Sequence, residues 1–267
     1  MTKFLIVNAD DFGLCPEISD GIIKAFSEGI VTSTSVVANG RSFKDYIEFL
    51  KKSGIDTGIH LTFTGGEKPI SGNIDGLVDD NGCFLKSYRE VIPRIVLGHF
   101  DRVALEKELT AQVGLLLNNG IDVSHLDSHQ HLHVLPGVRN IVIRLAKRFN
   151  IRWIRVPHIN RFNLNMFVMN VLSASLKSEL RKHSINFTNS FKGFEYGGHV
   201  NETNIAWILK GLENNITELM VHPGYDASHV YDWGYAWEDE LKALTSPYTK
   251  RLIKDNEIIL TGFKEIK

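Results

Sequence analysis

The polar ends of its apolar segments constrain this chain most. Phe4 to Ala9 is an apolar run, broken only by Asn8, of the kind found in strands buried on both faces. It ends on Asp10-Asp11. Further strand-like segments run over Val31 to Ala38, Thr57 to Phe63, Val123 to His129, Ile151 to Pro157, Glu218 to His222 and Glu257 to Phe263. Helical spacing fills the intervals: Ile18, Ile22, Ile23 and Phe26; Phe43, Ile47 and Leu50; Leu105, Leu109, Val113 and Leu116. Pro136 to Arg148, residues 162–183, Thr203 to Leu212 and Trp237 to Leu244 also read as helices, whereas residues 184–200 fit neither pattern. Such alternation gives a doubly wound sheet or a (β/α) barrel. A doubly wound sheet gathers its ligands near one switch point. Here chemically capable residues recur at the ends of many strands, at Asp10-Asp11, His60, His129, Arg155 and His222. The expected fold is α/β, a distorted TIM-like (β/α) barrel of about seven strands, in a single domain over residues 1–267.

Apolar residues make up 43% of the chain, enough for a sizeable core, and the net charge is −1. With no basic run of five or more, nothing points to nucleic acid. The N-terminal apolar run is too short for a signal-peptide core or a membrane span, so a cytoplasmic protein with no membrane partner is expected. Cys15 and Cys83 are too few for a disulfide framework and read as bland thiols. Residues 64–84 hold five glycines, a proline and Asp79-Asp80-Asn81-Gly82. A long irregular segment of this kind is often a lid or binding loop.

Four of the eleven histidines fall within nine residues, in His125-Leu-Asp-Ser-His129-Gln-His131-Leu-His133. Imidazole beside carboxylate is a common divalent-metal site. His129, nearest the strand end, is the ligand candidate, with Asp127 or His125 orienting it; His131 and His133 read as polar loop residues. A solvated His-rich loop is the plainer alternative. Neighbouring strand residues point to opposite faces, so Asp10 and Asp11 reach one site only if the strand breaks, which Gly13 permits. One acid would then ligate a metal and the other act as general base; a helix cap is the competing reading. His60, flanked by Ile59 and Leu61, suits the core as well as a ligand role. Arg155 can clamp a carboxylate or serve as a surface ion pair. His222 stands where a general acid could sit, and the aromatics from Tyr225 to Trp237 suit sugar faces or a packed loop.

Taken together, Ile6-Val-Asn-Ala-Asp-Asp-Phe-Gly13, Gly29-Ile-Val-Thr-Ser-Thr34, Gly58-Ile-His-Leu-Thr62, His125-Leu-Asp-Ser-His129 and Val221-His-Pro-Gly224 resemble the YdjC-like carbohydrate deacetylases. That family includes chitooligosaccharide deacetylases and is related to the polysaccharide deacetylases with a NodB-like barrel. The resemblance implies Asp10 as general base and Asp11, His60 and His129 as ligands of one divalent metal ion. Arg155 with Pro157 would support the base, and His222 would be the general acid. The two histidines would come from separate strands, unlike the single His-x-x-x-His motif of the wider superfamily. That departure leaves the choice among His125, His129 and His131 open. Tyr225 and Trp233, with Pro157, are the expected substrate contacts. One Asp and two His suit Zn, Fe, Co, Ni or Mn better than Mg, but relatives described with Mg keep Mg and Zn as the leading expectations.

The implied reaction removes acetyl groups from N-acetylated sugars, short chitooligosaccharides first, with a homodimer plausible. Another N-acetylated glycan or glycolipid is a close alternative. A metal phosphoesterase would need more ligands than are present. A sugar-binding protein without turnover would need neither Asp10 nor His222.

Overall fold

Strand β1 shows how this sequence separates its core from its site. In the computed structural model, which describes residues 2–158 and 164–266, β1 spans Lys3–Phe12 and its residues alternate. Leu5, Val7 and Ala9 face the main apolar core, while Ile6 belongs to a second cluster with Trp153 and Phe263. Period-two alternation therefore puts Ile6, Asn8 and Asp10 on the inner face. The elements that follow are α1 (Pro16–Glu28), β2 (Ser33–Val36), α2 (Ile47–Lys52), β3 (Asp56–Leu61), α3 (Tyr88–Leu97), α4 (Arg102–Asn118) and β4 (His125–Ser128). Then come α5 (Pro136–Arg148), β5 (Trp153–Ile154), α6 (Leu164–Lys182), β6 (Ser190–Lys192), α7 (Glu202–Lys210), β7 (Ile216–Val221), α8 (Trp237–Thr245), α9 (Pro247–Asp255) and β8 (Ile258–Leu260).

All strand pairs are parallel, and seven strands follow one path, β5-β4-β3-β2-β1-β7-β6. β7 occupies one edge of β1 from Phe4 to Ala9. The other edge is shared, with β8 pairing Lys3 to Leu5 and β2 pairing from Asn8 onward. The sheet curls because one segment touches both of its ends. Ile154 donates its N–H to the Asn186 carbonyl (3.0 Å), and the Asn186 N–H is donated to the Arg152 carbonyl (2.8 Å). Four residues later the same segment, now β6, pairs with β7. The expected barrel of about seven strands is thus present, as a curled half-barrel. The stretch 184–200, which fits neither periodicity, contains this closing segment. Its strand is only three residues long, too short to show a pattern.

Two helices lie outside the periodicities read from the sequence. α3 starts at a capping box, with Ser87 accepting from the Arg89 N–H and Glu90 reaching back, and stops at Gly98 with φ 72°. α9 has Pro247 at its first turn and Ser246 as its cap. The glycine-rich segment 64–84 is tied down from α4. Glu108, fully buried, accepts the N–H groups of Ile70 (3.0 Å) and Ser71 (2.6 Å), while Gln112 pairs with both backbone groups of Thr62. No helix among the described residues is long and apolar enough to cross a membrane.

The barrel floor is aromatic. Phe263 stacks on the His125 ring at 4.1 Å between centroids and lies 5.7 Å from Trp153. Gly58 on β3 leaves the room that His125 fills, since a Cβ there would stand 2.3 Å from the imidazole. His125 cannot retreat, because Ser124, Ser35 and Phe263 hold it. Gly58→Ala should therefore cost about 1–3 kcal/mol, an overpacking penalty, measured as a lower urea midpoint at unchanged m-value.

Candidate active site

β1 breaks at Asp11 itself. Asp11 has φ 73°, and the β1–β2 register slips between Ala9 and Phe12. The local kink of a bulge re-aims side chains, so Asp10 and Asp11 both turn into the mouth of the barrel. Gly13 (φ 92°) continues the turn, but the break comes two residues earlier than the glycine suggests.

Asp11, His60 and His129 come together, one ligand atom from each lying within 4.8 Å of the others. His60 Nε2 is 3.4 Å and His129 Nδ1 3.0 Å from Asp11 Oδ1. Ligands about 2.0–2.2 Å from a shared ion are separated by about this much, so the donor set fits a divalent cation. His60 Nδ1 lies 2.7 Å from Asp127 Oδ1. Donating its N–H there leaves Nε2 free to ligate, the carboxylate–histidine arrangement of metal sites. A second acidic group, Asp10, His60 and Asp127, is also close enough to chelate. Arg155 occupies it instead.

The Arg155 guanidinium, 1% exposed, makes a fork to Asp10 (2.6 and 2.7 Å) and reaches Asp127 (2.8 Å) and Glu218 (2.6 Å). It is a buried clamp on three acids, which excludes the surface ion pair. Asn8 adds a bond to Asp10 Oδ1 (2.7 Å). Oδ1 thus accepts two hydrogen bonds and Oδ2 one, leaving acceptor capacity on Oδ2.

Burial works against the Asp11 carboxylate, but His129 and His60 outweigh it and hold it well below the usual carboxylate range. Burial likewise opposes charge on His60, yet Asp127, Asp10 and Asp11 raise its pKa to about 9. Burial pushes Glu218 up to about 7 against the pull of Arg155, and it lowers His222, His131, His125 and His133.

The histidine cluster is not a solvated loop, for all four rings are buried. Asp127, expected to orient His129, grips His60 instead. His125, the other candidate for orienting His129, lies with Nε2 3.1 Å from Ser35 Oγ and Nδ1 2.8 Å from Ser124 Oγ. Ser35 in turn donates to Asp127 (2.8 Å), so His125 stands two removes from His60, with both of its ring nitrogens on serine hydroxyls. His133 is no polar loop residue either. It accepts from the Ser128 hydroxyl and donates Nε2–H to the Arg155 carbonyl (2.9 Å), fixing the turn to the strand end. His131, at φ 56°, stacks on Phe194 with centroids 5.0 Å apart.

A cavity of about 150 Å³ opens beside the trio, with His131, Phe194, Met220, His222 and Tyr235 among its walls. The His222 Nδ1 has no hydrogen-bond partner among the described residues, and its ring meets Tyr235 edge-on at 5.0 Å. Trp233 lies 5.1 Å from the His129 ring and stacks on Tyr231. Pro157 is buried and Tyr225 is 39% exposed; neither lines the cavity. Cys15 and Cys83 are free, and burial pushes the Cys15 thiol up to about 12. The sequence offered Tyr235 only as one of several aromatics, and Glu218 and Asn8 not at all as site residues. Glu218 carried a signal, because a lone acid inside a buried strand requires a partner.

Fold and site define a (β/α)-barrel protein with a buried cluster of one aspartate and two histidines that could hold a cation. More specifically, the chain belongs to the YdjC-like protein family, which matches residues 4–255. Among curated relatives, a carbohydrate deacetylase of Brevibacillus brevis is 30% identical over 267 residues, covering 98% of this chain and 99% of the relative. One from Clostridium beijerinckii is 32% identical over 270 residues, covering 98% and 99%. A human carbohydrate deacetylase is 27% identical over 295 residues, covering 98% and 90%. The solved structure of an Enterococcus faecalis protein, named for the cleavage of cellobiose phosphate, superposes with a TM-score of 0.80 at 23% identity, covering 99% of each chain. That likeness supports the fold.

Two predictions test the cation site. Asp127→Asn should weaken divalent-metal affinity about 10–100-fold, read by competition with a chromogenic chelator. Because His60 keeps its proton up to about pH 9 in the metal-free protein, metal binding near pH 7 should release about one proton. Calorimetry in buffers of different ionisation enthalpy measures that release, which should disappear above the His60 pKa.

Proposed function

We propose that this chain is a metal-dependent carbohydrate deacetylase that hydrolyses the acetamide of N-acetylated sugars, chitooligosaccharides foremost. The observation that carries the reading is the division between the two adjacent acids. Asp11 faces His60 and His129, whereas Asp10 is held by Arg155 and Asn8 beside the same cavity. Binding alone requires no second, separately clamped carboxylate. The curated relatives named carbohydrate deacetylases support the same reading.

Asp11, His60 and His129 would hold the divalent ion. When bound, the ion supplies Lewis acidity toward the amide oxygen and acidifies water. Zn and Mg are the leading candidates, and the two nitrogen donors favour Zn. Asp10 keeps acceptor capacity on Oδ2 and takes the proton of the attacking water. Arg155 holds Asp10 ionised and aimed, since a protonated carboxyl would lose the two-pronged bond. His222, on the cavity wall, delivers a proton to the leaving nitrogen as imidazolium, so that acetate and a free amino sugar depart. Burial disfavours that form, and the charges of Asp11 and Asp10 favour it. The cavity takes the acetamido group, with Trp233, 5.1 Å from the His129 ring, available to a sugar face.

A two-metal phosphoesterase fits less well. The second acidic group is already neutralised by Arg155 at 2.6–2.8 Å, and a dication there would face the guanidinium.

Asp10→Asn should retain the metal and lose about 10²–10⁴-fold in kcat, assayed as acetate released from di- to hexameric chitooligosaccharides. A near wild-type rate would remove Asp10 from the role of base.

A further inference from the structure

Unlike His60, His222 has no carboxylate on its ring among the described residues. Its Nδ1 is unpartnered among the described residues, and its imidazole meets Tyr235 only edge-on. The position of its ring must come largely from its backbone, and that backbone is held from α8. Glu240 Oε2 accepts the His222 N–H at 2.5 Å. Two residues on, the Trp237 carbonyl accepts the Gly224 N–H at 3.2 Å.

The other oxygen of Glu240 reaches the facing wall. Oε1 accepts the Val200 N–H at 2.8 Å, just beyond the loop whose Phe194 and Gly197 line the cavity. That loop is locked to the aromatic segment as well. The Gly198 carbonyl accepts the Ala236 N–H (2.7 Å), and a Cβ on Gly198 would stand 2.2 Å from the Tyr235 ring. A single carboxylate therefore joins the strand end bearing His222 to the wall bearing Phe194.

Glu240 is an expensive way to build a core. It is completely buried, and no ion pair to it occurs among the described residues. A buried carboxylate without a cation is costly: burial pushes the Glu240 pKa up to about 8, and the two backbone N–H groups it accepts are what pull against that rise. An apolar side chain would orphan both donors, and an amide would set an NH₂ against one of them.

We propose that Glu240 is the positioning residue for His222, fixing the general acid and the cavity wall opposite it as one unit. The inference rests on the assignment of His222 as acid made above. The test compares a chitooligosaccharide, whose amine must be protonated to leave, with p-nitrophenyl acetate, whose phenolate leaves unaided. His222→Ala should lower kcat on the amide about 100-fold with little effect on the ester. Glu240→Gln, purified with its metal content assayed, should show the same selectivity at about ten-fold, with KM nearly unchanged. Glu240→Asp keeps both acceptor oxygens but withdraws them by one methylene, and should lose amide turnover in the same selective way. Equal losses on both substrates, accompanied by a lower melting temperature, would make Glu240 merely structural and overturn the proposal, as would unchanged amide turnover. If His222→Ala itself spares the amide, the acid assignment fails and the inference falls with it. Selective loss in His222→Ala without loss in either Glu240 variant refutes the inference alone.

Discussion

The Arg155 guanidinium organises the interior of this barrel. Barrel interiors of this class are ordinarily filled by layers of branched apolar side chains. Here one cation replaces such a layer, contributed just after β5 and bonded to acids from β1, β4 and β7. Three carboxylates in a dry space repel one another strongly, and without the cation some would have to take up protons. A buried ion network is poor evidence for stability, since desolvation consumes much of the attraction. Its value lies in geometry. The planar fork fixes the direction of Asp10, and the same cation holds Asp127, which directs His60. The directions of Asp10 and, through Asp127, of His60 are thus set by a single side chain.

The second constraint is local. Adjacent strand residues diverge, yet the site needs both Asp10 and Asp11. The chain resolves this with a left-handed residue at Asp11 (φ 73°) and a register slip. A non-glycine residue in that region is uncommon, with aspartate among those that tolerate it best. Such conformations persist where the surroundings over-determine them, and Asp11 is held by two imidazoles. Gln130 and His131 show the same device at the opposite side of the mouth, with φ of 54° and 56°. Strained backbone thus occurs at two of the turns that deliver side chains to the cavity.

Much of this was legible in the chain. Strand ends carrying Asp10, His60, His129, Arg155 and His222 pointed to a barrel because the inner face and the C-terminal ends follow from period two and chain order. The strand within residues 184–200 was not legible, because β6 has only three residues. The roles within the His-rich run were also hidden. His125, His129, His131 and His133 are one residue type in one segment, but they separate into a packed ring on Phe263, a cation-site member, a cavity wall and a tie to the Arg155 carbonyl.

What the sequence determined by itself was therefore local and periodic: which segments form strands, which residues lie at their ends, and that two acids and several imidazoles would meet at one rim. Those properties depend on spacing along the chain, which a sequence displays directly. The tertiary structure decided the partners. Asp127 faces His60 and not His129, Glu218 shares Arg155 with two other acids, and Glu240 grips the backbones of Val200 and His222. These contacts join segments 18 to 145 residues apart. Their geometry depends on how the sheet curls, and no periodicity in one strand encodes the register of another.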